Sequence, residues 1–274
     1  MKRKSSQENL GDLITISQSE KTFRTVMWGV LITICLFPLF GNMKDGDVLK
    51  SLMCVISVGL VSLPFIASKI FRFEMNSYFY VFAELYALSV FLGEVYNLYE
   101  YISNWDEILH TCGGFVFAVF GAYLYERTHK EHGNVLMCAI FALCFSVTLS
   151  ALWEFAEYGF DTLFGLDMQR DTVINEINSY LFGESIGEVG STGEINEIII
   201  NGVPLEINGY IDIGLHDTMS DMLVETLGAV VFVVFYLIDN GKHKLLYPVD
   251  TYEKEACFEL KANGGEMVLN QTNE

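Results

Sequence analysis

Positive charge is what this sequence most lacks. Its 16 Lys and Arg stand against 35 Asp and Glu, a formal net charge of -19. A chain this acidic offers no basic face to a phosphate backbone, which excludes nucleic acid as a partner. Paired cysteines are missing as well. There are 6 Cys, and none forms a CxxC pair or another zinc spacing. Cys35, Cys54, Cys112, Cys138 and Cys144 fall in or near apolar runs and read as small packing residues, with Cys257 in the tail. No Gly-rich phosphate cradle, nucleophile motif, internal repeat or low-complexity segment is visible. The first 20 or so residues are too polar for a signal peptide and no small-residue cleavage site follows, so the first apolar run is expected to be a retained anchor.

What is present is apolar length. Hydrophobic residues make up 51% of the chain and mean hydropathy is +0.34. Segments near 25–40, 48–68, 77–98, 107–126, 134–158 and 218–238 approach or reach the roughly 20 residues that cross a bilayer. The expected fold class is an all-α polytopic membrane protein with about six transmembrane helices. Residues 1–24 form an N-terminal tail, 25–238 the transmembrane domain with an acidic loop at 162–215, and 239–274 a partly disordered tail. Lys69 and Arg72, then Arg127, His129, Lys130 and His132, then Lys242 and Lys244 mark alternate connections. Placing these in the cytoplasm satisfies the positive-inside bias, with Lys44 and Lys50 against it, and puts both termini inside and the acidic loop outside. Within that loop Glu194 to Gly214 reads as a β-hairpin, because Asn201-Gly202 separates β-branched runs. Gly183, Gly187, Gly190 and Gly193 read as flexible connection.

The chain is organised around Ser150-Ala-Leu-Trp-Glu-Phe-Ala-Glu-Tyr-Gly-Phe-Asp161, which ends the fifth apolar run. Glu154, Glu157 and Asp161 share one helical face, with no Lys or Arg in the stretch to neutralise them. Acids in an apolar helix are costly and mark function by default. Under the alternating topology, Asp106 and His110 open the fourth span at the same depth and side, and Asp217, Asp221 and Glu225 open the sixth. The stripes below them are small: Gly114, Ala118 and Ala122; Ser150 and Ser146; Gly228 and Ala229. Small residues are the usual helix contact in lipid, so the three stripes are expected to face one another around a polar cavity.

So many acids cannot all stay charged in a low-dielectric pocket without a cation or shared protons. Asp106, His110, Glu154, Asp217 and Asp221 are the candidate ligands of a divalent cation, Mg²⁺, Mn²⁺ or Zn²⁺, with Glu157 or Glu225 as base. Arg170 is expected to fold over the site, and Glu94 is a further candidate. Blander readings stand beside these. Asp106 and Asp217 suit helix caps and Asp161 suits solvent. His216, His129 and His132 suit solvated turns. Trp105, Trp153 and Tyr158 suit an interfacial belt. Glu84, isolated in the third span, suits a neutral hydrogen-bonded acid.

The set Asp106-x-x-x-His110, Trp153-Glu154-x-x-Glu157 and Asp217-Thr218-x-x-Asp221 with Gly228-Ala229 resembles the YjdF-like family of bacterial inner-membrane proteins, and more distantly VanZ-like proteins. Glu157 and Glu225 stand where VanZ-like proteins commonly carry Gln and Asn. The resemblance covers roughly 90–240. It implies a multi-pass envelope protein with site membership for Asp106, His110, Glu154, Glu157, Asp217 and Asp221, and no agreed reaction. Three functions are compatible with these residues. One is a metal-assisted hydrolase of a lipid or cell-wall precursor at the outer leaflet. Another is a proton- or cation-coupled transporter, although no inverted repeat or broken helix pair is evident. The third is a non-catalytic envelope protein with a structural cation. The partners implied are the lipid bilayer and a lipid-linked or envelope small molecule.

Overall fold

The computed structural model describes residues 18–129, 134–242 and 244–248. The expectations placed on residues 1–17, on Lys130 and His132, and on the tail beyond Pro248 with Cys257 lie outside them. In chain order the elements are α1 (Gln18–Leu36), α2 (Leu39–Asp45), α3 (Val48–Leu60), α4 (Leu63–Ile70), β1 (Phe73–Met75), α5 (Ser77–Val95), α6 (Leu98–Tyr101), α7 (Trp105–Thr128) and α8 (Val135–Phe164). Then come β2 (Thr172–Ile174), β3 (Ile177–Ser179), a 3₁₀ turn at Tyr180–Phe182, β4 (Gly190–Thr192), β5 (Ile198–Ile200), β6 (Val203–Leu205), β7 (Tyr210–Asp212), α9 (Leu215–Ile238) and β8 (Leu246–Pro248).

Six helical segments are long and apolar enough to cross a membrane: Gln18–Asp45, Val48–Phe71, Ser77–Val95, Trp105–Thr128, Val135–Phe164 and Leu215–Ile238. They are the six expected spans, with shifted ends. The first two are interrupted, contrary to the expectation that no pair of broken helices is present. Pro38 follows α1, and Pro64 sits in the first turn of α4. A proline ring clashes with the carbonyl four residues earlier, and for Pro64 that residue is Leu60, where α3 stops.

The chain divides into two compact units. One comprises residues up to Tyr101, Glu126–Glu131 and the part from Gly241 on; the other comprises Ile102–Tyr125 and His132–Asn240. In the first, Leu31, Cys35, Cys54, Val61, Leu88, Phe91 and Val95 form a buried core, so Cys35 and Cys54 are packing residues as expected. Glu84 is fully buried on α5 with Tyr80, one turn earlier, as its interacting neighbour. The basic connections converge in this unit. Arg127 donates to the Phe71 carbonyl, Lys244 pairs with Glu126 at 3.0 Å, and β8 pairs antiparallel with β1. The start of the C-terminal tail is thus an ordered strand.

In the second unit, Asn134 caps α8 by accepting from the Leu136 and Met137 amides. Gly165 ends that helix in the left-handed region, with φ 66°. Along α8 the usual soluble pattern is inverted. Leu152, Phe155 and Tyr158 are exposed while Glu154 and Glu157 are buried, the arrangement of a helix whose outer solvent is hydrocarbon. The small stripes form contacts nearer than side chains allow. A Cβ on Gly114 would meet the Glu225 carbonyl oxygen at 1.8 Å, and one on Gly228 would meet that of Thr111 at 1.9 Å. Ser146 on α8 donates to the Gly114 carbonyl at 3.0 Å. α7, α8 and α9 therefore meet through their polar and small faces.

The loop between α8 and α9 is built from three antiparallel strand pairs, β2–β7, β3–β4 and β5–β6. The expected hairpin is present over 198–205. Ile200 pairs with Val203, and Asn201 and Gly202 take φ 53° and 82°, the two positive angles of a type I′ turn. Beyond it the chain leaves the hairpin, and β7 closes on β2 instead. The reading of Gly183 and Gly190 as flexible connection is corrected. A Cβ on Gly183 would lie 2.0 Å from the Glu188 carbonyl oxygen, and one on Gly190 2.0 Å from that of Phe182, so both serve close backbone approach.

Gly114→Ala and Gly228→Ala should each force α7 and α9 apart and destabilise by about 1–3 kcal/mol. Gly29→Ala on α1, where nothing lies within 4 Å of the new methyl, should be neutral or stabilising. Thermal unfolding of the purified protein in detergent checks the contrast. Equal melting temperatures for all three variants would show that the close crossing is unimportant.

Candidate functional site

His110 lies one turn before Gly114 on α7, and Asp221 and Glu225 follow one another by one turn on α9, so the glycine crossing brings them to the same depth. The His110 Nε2 atom is 3.4 Å from Asp221 Oδ2 and 3.7 Å from Asp106 Oδ1, and its Nδ1 is 3.5 Å from Glu225 Oε2. One ring therefore faces three carboxylates from two helices. His110, Asp221 and Glu225 are buried, while Asp106 keeps 20% of its side chain exposed at the mouth. One ligand atom each from Asp106, His110 and Asp221 lies within 4.8 Å of the other two.

α8 supplies the facing wall. Glu154 and Glu157 are 3% and 7% exposed. Glu154 lies within electrostatic reach of His110, Asp217 and Glu225, and Glu157 within reach of Glu154, His110 and Asp106. Both Glu154 oxygens, Oε2 of Glu157, Oδ2 of Asp221 and Oε1 of Glu225 are buried without a hydrogen-bond partner at bonding geometry. The Thr218 hydroxyl is the neutral group that interacts with Glu154. Trp153 Nε1 donates to Glu157 Oε1 at 2.8 Å. Half-exposed Trp153 thus combines the expected surface position with a hold on Glu157 that was not expected, although their i, i+4 spacing carries the signal.

Two of the sequence candidates have a different setting. Asp161 is not merely solvated: its two oxygens accept from the Met168 and Gln169 amides at 2.6 and 2.8 Å. Asp217 Oδ2 accepts from the Arg170 amide at 3.0 Å, and the Gln169 side-chain amide donates to Thr218. Residues 168–170 are thereby strapped between the end of α8 and the start of α9. The strap holds Arg170 over the acids as anticipated, with Nε 3.8 Å from Asp106 Oδ2. It, rather than the Asn-Gly hairpin, is the loop segment whose bonds reach the acids directly. His216 is exposed, in keeping with a bland role, and Glu94 belongs to the other unit. Gln169 and Thr218 were missed. Their pairing spans the whole loop, and no local pattern announces it.

Six carboxylates and one imidazole on three membrane-length helices, with the guanidinium of Arg170 reaching Asp106 from the loop, define a polytopic helical membrane protein with a largely buried acidic cluster whose donors could hold a cation or shared protons. The chain belongs to the family described as "Predicted membrane protein (DUF2238)", whose match spans residues 23–241. No curated protein and no solved structure matches it.

Hydrogen bonds to an ionised group contribute about 1.5–3 kcal/mol each. Asp161→Ala removes two from the strap, so local opening at Arg170 should become at least about tenfold more frequent. The initial rate of tryptic cleavage after Arg170, read by mass spectrometry on folded protein, should rise accordingly. An unchanged rate would mean that Asp161 does not hold the strap.

Proposed function

We propose that the protein is a cation-dependent membrane hydrolase whose metal centre is Asp106, His110 and Asp221. The observation that carries this reading is the approach of one donor atom from each to within 4.8 Å of the others. Two atoms each about 2.1 Å from one cation stand roughly 3.0–3.4 Å apart in octahedral or tetrahedral geometry. The His110 distances of 3.4 and 3.7 Å are close to that. With Nε2 turned to the metal, Nδ1–H is left to donate to Glu225, the usual arrangement that fixes a ligating imidazole. Glu225 is accordingly given the orienting role rather than that of a base. Glu154, whose two buried oxygens have no hydrogen-bond partner at bonding geometry and whose neutral neighbour is the Thr218 hydroxyl, completes the ligand set. Asp217 is given to the strap.

A bound Mg²⁺, Mn²⁺ or Zn²⁺ would supply the positive charge that the pocket lacks and would acidify a water. Glu157, anchored through Oε1 by Trp153, keeps Oε2 for the proton of that water. A bound cation would activate that water for attack on an ester, and Glu157 would be the residue placed to take the water's proton and return it to the departing alkoxide. Ester and water become acid and alcohol. Location follows from charge. The basic connections 69–72, 126–129 and 242–244 share one end of the chain's spans, and Asp106 lies at the other end of α7. Positive-inside orientation then opens the pocket to the outer leaflet, with both termini cytoplasmic. The likeness to YjdF-like and VanZ-like proteins, carried by the same residues, supports a bacterial inner membrane, and an opening at the outer leaflet would suit a lipid or cell-wall precursor as substrate.

Elemental analysis of the detergent-purified protein after Mn²⁺ loading should find about one ion per chain, and the ion should raise the melting temperature by mass action. His110→Gln and Asp221→Asn should abolish both effects, and Glu84→Gln should keep them. If the wild type holds no divalent ion, the hydrolase reading falls. The succession of Asp106, His110 and Glu225 from the mouth inward would then be a proton path. For orientation, Ser191→Cys in a background without native Cys should react with an impermeant thiol reagent in spheroplasts, whereas Lys242→Cys should not. The reverse pattern would invert the topology.

A further inference from the structure

We infer that Thr218 is a positioning residue for Glu154 and that, through Gln169, it couples the cation centre to the 168–170 strap, a step that rests on the reading of Glu154 as a ligand. Thr218 lies in the first turn of α9, half-buried, with its backbone amide bonded to the Gly214 carbonyl at 3.0 Å. Its hydroxyl is used differently from those of three other threonines in these helices. Thr111, Thr148 and Thr226 each donate to the carbonyl four residues back in their own helix, at 2.6, 2.8 and 2.7 Å. That is the ordinary way for a hydroxyl to be satisfied within a helix. The Thr218 oxygen instead accepts from the Gln169 side-chain amide, across the whole loop. An amide N–H can only donate, and a hydroxyl carries one proton. Thr218 therefore accepts on the strap side and has its own proton left to give. The carboxylate it faces is Glu154.

Glu154 lacks a donor. It is 3% exposed, and neither of its oxygens has a hydrogen bond at bonding geometry. A buried carboxylate in that state is costly. If one oxygen goes to a cation beside Asp106, His110 and Asp221, the second oxygen still needs a partner, and Thr218 is the neutral donor next to it. Ligating carboxylates are commonly held in this way, and loss of such an outer partner weakens metal binding by about 10–100-fold.

The two partners of Thr218 belong to different parts of the unit. Glu154 lies deep on α8, and Gln169 lies in the strap. Asp161 and Asp217 hold the strap by its backbone amides. The Gln169–Thr218 bond is the strap contact that also leads to Glu154. Turning Glu154 toward Thr218 fixes the hydroxyl that Gln169 needs. By linkage, a closed strap that favours the cation is favoured by the cation to the same degree.

The test uses the full-length chain in phosphatidylcholine nanodiscs. Mn²⁺ affinity is read from the paramagnetic resonance of the free ion, and strap opening from amide hydrogen exchange over 168–170. Thr218→Val, which keeps the shape and removes the hydroxyl, should bind Mn²⁺ about tenfold or more weakly. Thr218→Ser, which keeps the hydroxyl, should bind close to wild type. Mn²⁺ should slow exchange of the strap in the wild type and in Thr218→Ser, and leave it unaltered in Thr218→Val. A purely structural threonine would not move the cation dependence. The metal-free melting temperature certifies that Thr218→Val is folded, and Thr218→Ala takes its place if it is not. An affinity in Thr218→Val equal to wild type, one in Thr218→Ser as weak as in Thr218→Val, or equal slowing in all three would overturn the inference. A metal-free cycle stands apart from the cation reading. Glu154→Leu should speed strap exchange where Thr218 is present and add nothing in Thr218→Val, whereas additive effects would break the link. A wild type that binds no Mn²⁺ would sink the metal centre alone, and this cycle would then decide the role of Thr218.

Discussion

Two helices in this protein touch backbone to backbone, and the chemistry of the pocket depends on that contact. Lipid gives helices no hydrophobic reason to associate, so packing and polar contacts must hold them. Gly114 on α7 lies against the carbonyl of Glu225 on α9, and Gly228 lies against that of Thr111. The residue whose backbone fills the space over Gly114 is the one whose carboxylate meets the His110 ring one turn away. Register and site are therefore one feature. A slip of α9 by one residue would rotate Asp221 and Glu225 by about 100° and carry both away from the imidazole. Ser146 adds the third helix to the same point by bonding the Gly114 carbonyl.

Much of this was legible in the sequence, for reasons that can be named. Span positions follow from apolar length. The convergence of three acidic motifs follows from alternation of basic connections, a signal independent of the acids. Asn201-Gly202 specified its turn because few residue pairs tolerate two positive φ angles. The breaks in the first two spans were written in Pro38 and Pro64, but hydropathy averages over a single ring. The strap was not legible. Asp161 and Asp217 look like end-of-helix acids, and their partners are backbone amides, which every residue but proline carries. Strands β2 and β7 are three residues each, too short for a period of two to show.

The acids of the pocket divide by what they touch. Asp161 and Asp217 face amide hydrogens at the rim, a polar setting close to water. Asp106 stands between Arg170 and His110. Glu154, Glu157, Asp221 and Glu225 lie deeper, each with at least one buried oxygen that has no hydrogen-bond donor at bonding geometry. Such atoms are rare in folded proteins because each is costly. Their gathering around one imidazole is the physical content of the functional reading. In the proposed reading a positive charge would be held among these acids, and Arg170 stands beside Asp106 at their exposed side.

The β2–β7 pair closes the α8–α9 loop at its base, with Thr172 opposite Asp212 and Ile174 opposite Tyr210. Everything between Ile174 and Tyr210 is in this sense a side branch of the chain. The strap, the end of α8 and the start of α9 all lie on the near side of the closure. A branch sealed at its stem can lengthen, shorten or change sequence at small entropic cost to what lies below it. The protein thus separates a part that holds the acids in place from a part exposed at the membrane surface, where surface loops commonly diverge. Relatives that differ in that branch would be expected to keep one chemistry while altering what they meet outside the bilayer.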